Sequence, residues 1–291
     1  MKFTGSITAL ITPFRNGKFD ESAFQSIIEN QINSGTHGLV PTGTTGESPT
    51  LSHEEHMKVV EVCIKTSSGR VPVIAGTGSN STEEAIVLTK HAQNTGADAA
   101  LIVTPYYNKP TQEGLYQHYK AINDNTKIPI IIYNIPGRSI VDVNIDTMEK
   151  LYNLKNIIGV KDATSDMARA SQQRKIMGDD FVLFTGEDAS AMGFMIHGGN
   201  GAISVTANVA PKLCADFQNF CKEKMFKEAS IVNDRLMPLH QSLFIETSPS
   251  PVKYAAGLLG LCLEDLRLPL VPIKQETKDA VKSAMKYADL I

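Results

Sequence analysis

Eight short apolar runs recur along the chain, and a stretch with helical spacing follows each of them. Nearly all of these runs are apolar throughout instead of alternating with polar residues, which is typical of strands in a parallel sheet covered on both faces. The runs occupy residues 6–11, 38–41, 71–75, 99–103, 128–133, 157–161, 181–184 and 202–205. The pattern therefore predicts an α/β fold.

The segments between the runs carry helix start signals. Ser52 and Glu55 have the spacing of a capping box, and Ser81 and Glu84 repeat it before the next predicted helix. Pro211 suits the first turn of the helix after the eighth run, because N–H groups in the first turn have no partner within the helix and proline lacks this group. These signals support helices between the predicted strands.

Eight strand–helix units in about 224 residues match a (β/α)8 TIM barrel better than an open doubly wound sheet. An open sheet usually has fewer strands, and its glycine-rich nucleotide fingerprint is missing. We expect a barrel domain over residues 1–224 and a C-terminal helical appendage over residues 225–291. Breaks in this helical region are predicted at Pro238, at residues 248–251, at Pro269 and at Pro272.

Composition disfavours several classes of protein. The 291 residues are 42% hydrophobic and 20% charged with a net charge of −3, unlike disordered, fibrous or membrane chains. No local Lys and Arg patch is evident, so nucleic acid is not an expected partner. The first apolar run is too short for a signal peptide or a membrane span, and the four cysteines form no CxxC pair. We expect a cytoplasmic protein with reduced thiols and no membrane association.

Polar residues end four of the apolar runs, at the edge of a barrel where active sites lie. Lys161 ends the sixth run, and burial in an apolar mouth would lower its pKa and leave a neutral amine able to form a Schiff base. The alternative is a lysine that reaches solvent or pairs with Asp162. Tyr133 ends the neighbouring fifth run and could relay protons, or be a half-buried aromatic with a satisfied hydroxyl.

Two further segments offer groups for an anionic substrate. Residues 43–46, Gly-Thr-Thr-Gly, could bind an anion through backbone N–H groups, or form a turn that needs glycine for positive φ. Arg138 could hold a carboxylate with two hydrogen bonds, or be a solvated loop arginine. A metal site is not expected, because His53 and His56 are three residues apart and the zincin motif places its histidines four apart.

Three motifs together resemble the dihydrodipicolinate synthase family of class I pyruvate-dependent aldolases and lyases. They are residues 43–47 (GTTGE), 133–136 (YNIP) and 158–162 (IGVKD). The resemblance covers essentially the whole chain, including residues 103–108, 201–208 and 250–253. It implies a TIM-barrel lyase that uses no cofactor and condenses pyruvate with L-aspartate 4-semialdehyde, early in diaminopimelate and lysine biosynthesis.

The resemblance also implies roles for individual residues. Lys161 would form the imine with pyruvate, and Tyr133 would donate and accept protons. Thr44 and Tyr107 would complete a proton relay, with Tyr107 supplied by the neighbouring subunit of a tight dimer. The implied substrate-binding residues are Thr45 for the pyruvate carboxylate, Ile203 through its backbone, Arg138 for the semialdehyde carboxylate, and Gly186.

The resemblance further implies a homotetramer, a dimer of dimers, with a site for inhibitory lysine at the dimer interface. The residues that match this lysine site are Ser48, His53, His56, Asn80, Glu84 and Tyr106. Asp162 stands where many relatives have Glu, which puts little in doubt. Pro49 follows Ser48 where a different residue is often found, so inhibition by lysine is left open.

Two rival functions are weighed against this one. Another pyruvate aldolase, such as an N-acetylneuraminate or keto-deoxy-sugar lyase, could use the same scaffold, but a sugar polyol asks for hydroxyl-rich contacts instead of Arg138. A non-catalytic sensor of small molecules could keep the fold and lose turnover, but it has no need of the relay formed by Lys161, Tyr133, Thr44 and Tyr107.

Overall fold

The computed structural model describes residues 3–291 and contains a closed barrel of eight parallel strands. The strands in chain order are β1 (Gly5–Ala9), β2 (Phe14–Arg15), β3 (Lys18–Phe19), β4 (Gly38–Val40), β5 (Ile74–Gly76), β6 (Ala99–Val103), β7 (Ile130–Asn134), β8 (Ile157–Asp162), β9 (Val182–Thr185) and β10 (Gly201–Ser204). Strands β2 and β3 form a separate antiparallel pair.

The barrel strands pair in the order β4, β1, β10, β9, β8, β7, β6, β5, all parallel. A bridge between Leu39 and Val73 joins the two ends of this order, and the Leu39 N–H donates to the Pro72 carbonyl at 3.0 Å. The predicted TIM barrel is therefore confirmed. All eight predicted strands are present, with ends that shift by a few residues.

Helices cover the outside of the barrel and extend beyond it at the C-terminal end. They are α1 (Glu21–Asn33), α2 (His53–Ser67), α3 (Thr82–Thr95), α4 (Gln112–Asn125), α5 (Pro136–Ser139), α6 (Ile145–Tyr152), α7 (Met167–Met177), α8 (Ala191–Ile196), α9 (Pro211–Lys222), α10 (Phe226–Ser242), α11 (Ser250–Leu258) and α12 (Gln275–Tyr287). No helix within residues 3–291 is long and apolar enough to cross a membrane.

The predicted helix starts are realised to different degrees. Ser52 and Glu55 form a complete capping box at the start of α2. At α3 the Ser81 side chain accepts the Glu84 N–H, but the Glu84 carboxylate turns away to Ser79 and His53. Only half of the second predicted box therefore forms, because the acid has other partners.

The prediction of a break at Pro238 was wrong, because α10 continues through this residue to Ser242. A proline inside a helix removes one backbone hydrogen bond. Here Leu236 and Leu239 on either side are fully buried, so packing against the core offsets the missing bond. The chain does leave the helical path at residues 243–249 and again at residues 259–274, which contain Pro269 and Pro272.

The C-terminal helices share a hydrophobic cluster with the barrel. Leu239 and Met285 pack in the same cluster as Leu10 and Phe24. The division into a barrel over residues 1–224 and an appendage over residues 225–291 stays a prediction. All four cysteines, Cys63, Cys214, Cys221 and Cys262, are free thiols.

Candidate active site

Lys161 and Tyr133 lie side by side at the carboxyl ends of β8 and β7. The parallel register pairs these two residues, and the Lys161 Nζ lies 4.1 Å from the centroid of the Tyr133 ring. Both side chains are buried, with 5% of Lys161 and 7% of Tyr133 exposed. The prediction that two neighbouring strands bring these side chains together agrees with the structure.

The environment of Lys161 favours its neutral form. The pKa of Lys161 is lowered from 10.5 to about 7, mainly because the side chain is buried; the negative charge of Asp188 opposes this shift, and the positive charge of Arg138 contributes to it. An ammonium group loses hydration in an apolar site, so the amine is the less costly form. At neutral pH a large fraction of Lys161 is therefore a nucleophile.

The alternative arrangements considered for Lys161 are not the ones in the structure. The Asp162 carboxylate receives the Arg169 Nε–H at 3.1 Å and the Thr164 N–H at 2.9 Å, so its partners lie away from Lys161. Successive residues of a strand point to opposite faces. Lys161 accordingly points to the inside of the barrel, where little of it meets solvent.

The Tyr133 hydroxyl is joined to the loop after β4. Burial raises the pKa of Tyr133 to about 12, and the charge of Arg138 and a hydrogen bond with the Thr44 side chain oppose this shift. The phenol is therefore protonated at neutral pH, and the Thr44 side chain lines the same cavity. Thr45, next to Thr44, is buried. Two hydroxyls in the wall of one cavity are suitable members of a short proton relay.

A cavity of about 230 Å³ opens beside Tyr133. Tyr133, Thr44 and Arg138 line it, together with apolar side chains such as Leu101 and Val103. Arg138 is exposed, and its Nη2–H donates to the Ser248 carbonyl at 3.3 Å. Such a partly apolar space with few polar groups is typical of a site for a small molecule.

Several predicted site residues lie outside the wall of this cavity, namely Lys161, Thr45, Ile203, Gly186 and Tyr107. Lys161 contacts the ring of Tyr133, which does line the cavity. Ile203 lies in β10 and packs in the same hydrophobic cluster as Tyr133.

Gly186 lies against the Lys161 side chain. A Cβ atom at this position would lie 2.8 Å from Lys161 Cε and 2.9 Å from Ala163 Cβ. Both distances are shorter than real carbon contacts. Only glycine therefore leaves room for the observed path of Lys161.

Tyr107 is the predicted residue that one chain does not bring to the site. Its side chain is 92% exposed, and its backbone has a φ of +72°, which is uncommon for a residue with a bulky side chain. The preceding Tyr106 lines the cavity. Exposure of a large aromatic side chain to this degree fits a residue that contacts another molecule.

Four of the six residues predicted for the lysine site form two contacting pairs. His53 Nε2 lies 2.6 Å from Glu84 Oε1, and the Asn80 side chain donates to the Tyr106 carbonyl at 3.2 Å. A hydrogen bond from Ser79, followed by the contact with His53, lowers the pKa of Glu84 despite its partial burial.

The remaining two members of this set differ in their surroundings. Ser48 lines the same cavity as Tyr106. His56 is buried, its Nε2 lies 2.8 Å from the Gly76 carbonyl, and burial lowers its pKa to about 4. His56 is therefore neutral and donates to the backbone.

One acidic residue near Lys161, Asp188, was given no role in the sequence analysis. Asp188 is buried, and its Oδ2 accepts the N–H groups of Val205 and Thr206 at 2.9 and 3.1 Å. Its charge acts on the pKa of Lys161. The signal was its place in the polar segment that follows β9, three residues after the strand ends at Thr185.

No group of three or more His, Cys, Asp or Glu side chains in the described chain is arranged to hold a metal ion. The site consists of a buried lysine with a lowered pKa against a buried tyrosine at the carboxyl end of a TIM barrel. This combination defines a class of barrel enzymes that form a Schiff base with a carbonyl substrate.

Comparison with known proteins narrows the class. The model of the dihydrodipicolinate synthetase family matches residues 2–288, so the chain belongs to this family. It is 62% identical over 290 residues to the 4-hydroxy-tetrahydrodipicolinate synthase of Bradyrhizobium diazoefficiens, covering 100% of this chain and 98% of that protein. The predicted family and class of enzyme, a lyase, are confirmed.

Solved structures agree with this assignment. The dihydrodipicolinate synthase of Aquifex aeolicus superposes with a TM-score of 0.97 at 45% identity and 99% coverage of both chains. The chloride-inhibited dihydrodipicolinate synthase of Acinetobacter baumannii, complexed with pyruvate, gives the same TM-score, identity and coverage.

Proposed function

We propose that this chain condenses pyruvate with L-aspartate 4-semialdehyde to give 4-hydroxy-tetrahydrodipicolinate, in diaminopimelate and lysine biosynthesis. The observation that carries the chemistry is the buried Lys161, with its lowered pKa, 4.1 Å from the ring of Tyr133. Family membership and the names of the relatives support the choice of substrates. Arg138 at the mouth of the cavity favours this reaction over cleavage of a sugar acid.

The reaction begins with attack of the neutral Lys161 amine on C2 of pyruvate. The carbinolamine loses water to give an imine, and loss of a C3 proton gives an enamine. The enamine carbon attacks the aldehyde carbon of the second substrate, whose oxygen is then protonated to a hydroxyl. The amino group of that substrate adds to C2 and displaces Lys161, which closes the ring and frees the enzyme.

Each of these steps moves a proton, and the Tyr133 hydroxyl with its Thr44 partner is the group proposed to move it. Tyr107 would be the third member, contributed by a second copy of the chain, and its 92% exposure supports this proposal. The proposed assembly is a homotetramer built as a dimer of dimers, in the cytoplasm.

The carboxylates of the two substrates need separate partners. Thr45 and the backbone at Ile203 are proposed to hold the pyruvate carboxylate, with Gly186 leaving room for the imine on Lys161. Arg138 is proposed to bind the carboxylate of the semialdehyde, since a guanidinium can donate two parallel hydrogen bonds to it.

Lysine is proposed as an inhibitor that binds at the set of Ser48, His53, His56, Asn80, Glu84 and Tyr106. The His53–Glu84 and Asn80–Tyr106 contacts support a preformed polar site. Pro49 lines the same cavity as Ser48 and Tyr106, so the response to lysine depends on the loop that contains it.

Borohydride reduction in the presence of pyruvate tests the proposed chemistry. The imine is reduced to a stable secondary amine, and peptide mass mapping is expected to place the added mass on Lys161. The matched control is Lys161→Ala, in which the label should vanish while other lysines stay unmodified. An unmodified Lys161 in the native chain would refute the Schiff base, and turnover of N-acetylneuraminate without turnover of the semialdehyde would refute the substrate.

A further inference from the structure

A buried ion pair joins the loop after β4 to the C-terminal helices. Glu47 Oε1 lies 2.6 Å from Lys253 Nζ, and both side chains have no exposed surface. The other carboxylate oxygen of Glu47 accepts the Arg267 N–H at 3.1 Å. Lys253 also donates to the Asp265 carbonyl at 2.6 Å, and its Nζ lies 4.1 Å from the ring centroid of Phe14. Both charged groups therefore have their partners inside the chain.

The loop held by this pair carries the threonines of the site. Thr44, which lines the same cavity as Tyr133, is three residues before Glu47. The Thr12 hydroxyl donates to the Gly46 carbonyl at 2.7 Å, so the barrel holds one side of the loop. Glu47 itself has a φ of +54°, a conformation that a residue with a side chain keeps only where its surroundings hold it. Lys253 and the Arg267 N–H of the C-terminal region hold Glu47 in this conformation.

Stability alone does not account for a pair of this kind. Desolvation of two charges offsets much of their attraction, and apolar side chains of similar volume are often equally stable in their place. Burial lowers the pKa of Lys253, against the opposing effect of the Glu47 carboxylate. What an ion pair with defined hydrogen bonds does provide is one fixed position for the loop.

We propose that Glu47 and Lys253 are positioning residues, which hold the loop after β4 so that Thr44 stays beside Tyr133 in the wall of the cavity. The C-terminal helices thereby take part in proton transfer without touching a substrate. This inference rests on the proposed function, because it assigns the pair to the proton relay of the same site.

The test uses the double variant Glu47→Gln/Lys253→Met, which removes both charges together. The amide oxygen of Gln can still accept the Arg267 N–H, and Met fills most of the space of Lys. Val281→Ala is the matched control, because it removes fully buried volume from α12 in the same C-terminal region and changes no charge and no residue of the loop. Thermal unfolding establishes that the variants are folded at the assay temperature.

The readout is the exchange of pyruvate methyl protons for deuterium in heavy water, followed by NMR. This exchange requires the imine and one proton transfer and needs no second substrate. We expect the double variant to exchange about tenfold more slowly than the native chain, within the range of general acid–base effects. Val281→Ala should exchange at the native rate. Borohydride trapping should still label Lys161 in both.

A double-mutant cycle that combines Glu47→Gln/Lys253→Met with Thr44→Val distinguishes a positioning role of the ion pair from a general loss of structure. If the ion pair acts through Thr44, introducing Glu47→Gln/Lys253→Met into the Thr44→Val chain should slow exchange by less than about twofold further. The effects of substitutions at residues that act as a unit are not additive. A full tenfold further loss in that background, or native exchange in the double variant, would overturn the inference.

The two proposals fail in different ways. A native chain that exchanges pyruvate protons but does not consume L-aspartate 4-semialdehyde would refute the proposed function. The positioning role of Glu47 and Lys253 would then still be decided by the exchange rates of the same variants. A native chain that neither labels Lys161 nor exchanges protons would refute both.

Discussion

The pH dependence of imine formation follows directly from the environment of Lys161. Burial places its pKa at about 7 instead of 10.5. At pH 7 about half of the amine is then neutral, against about one part in 3,000 for a lysine in water. Since only the neutral amine attacks pyruvate, the rate of imine formation should rise tenfold per pH unit below about pH 7 and level off above it.

Two substitutions should move this midpoint in opposite directions. Arg138 lowers the pKa of Lys161 and Asp188 raises it. Arg138→Ala is therefore expected to shift the midpoint to higher pH, and Asp188→Asn to lower pH. The assay is borohydride trapping of the pyruvate imine, quantified by intact mass at short times from about pH 5 to about pH 10.

A rate that keeps rising to about pH 10 would refute the argument, because it would give Lys161 the pKa of an exposed lysine. Midpoints that move in the same direction in Arg138→Ala and Asp188→Asn would also refute it, since charges of opposite sign act on one amine. Loss of imine formation in Arg138→Ala would contradict the assignment of Arg138 to the second substrate.

The remaining predictions concern single residues of the site. Gly186→Ala is expected to destabilise the fold by about 1–3 kcal/mol in denaturant unfolding and to slow imine formation, because the new Cβ would lie 2.8 Å from Lys161 Cε. Lys161→Met is expected to abolish turnover and yet raise the free energy of unfolding, most strongly at acidic pH. The folded-state pKa lies below that of the unfolded chain, so the native chain loses stability as the pH falls from about 10 to about 7. Tyr107→Phe should lower kcat with an unchanged unfolding midpoint, and unchanged kcat would remove Tyr107 from the relay.

The barrel could be predicted because its strands are short, apolar throughout and regularly spaced. Residues 99–103 illustrate this, since the predicted strand and the observed β6 coincide. The contact between Lys161 and Tyr133 followed from the same pattern, because each residue ends one of two successive strands and successive strands in a barrel are neighbours. Tyr107 was placed only by family resemblance, and one chain gives it no partner in the cavity wall.

The break predicted at Pro238 shows where local rules fail. A proline in a helix is costly on its own, but the pattern does not reveal that Leu236 and Leu239 pack in the core on both sides of it. Asp188 was given no role in the sequence analysis for a related reason. The sequence does not show whether a carboxylate after a strand is buried. The partners of Asp188 are backbone N–H groups of residues 205 and 206, which almost any residue type can supply.

The Glu47–Lys253 ion pair could not be predicted from the residues that end the strands. Its two residues are 206 positions apart, and each lies in a segment that the sequence singles out for a different reason: residues 43–47 for their glycines and threonines, residues 250–253 for family resemblance. A charged residue next to a glycine-rich turn is ordinarily solvated. Here the C-terminal helices bury it, because they pack on the first strand–helix units of the barrel, beside the loop that contains Thr44. We therefore expect the C-terminal helices to influence the geometry of the site, and substitutions in α11 should be tested for proton transfer as well as for stability.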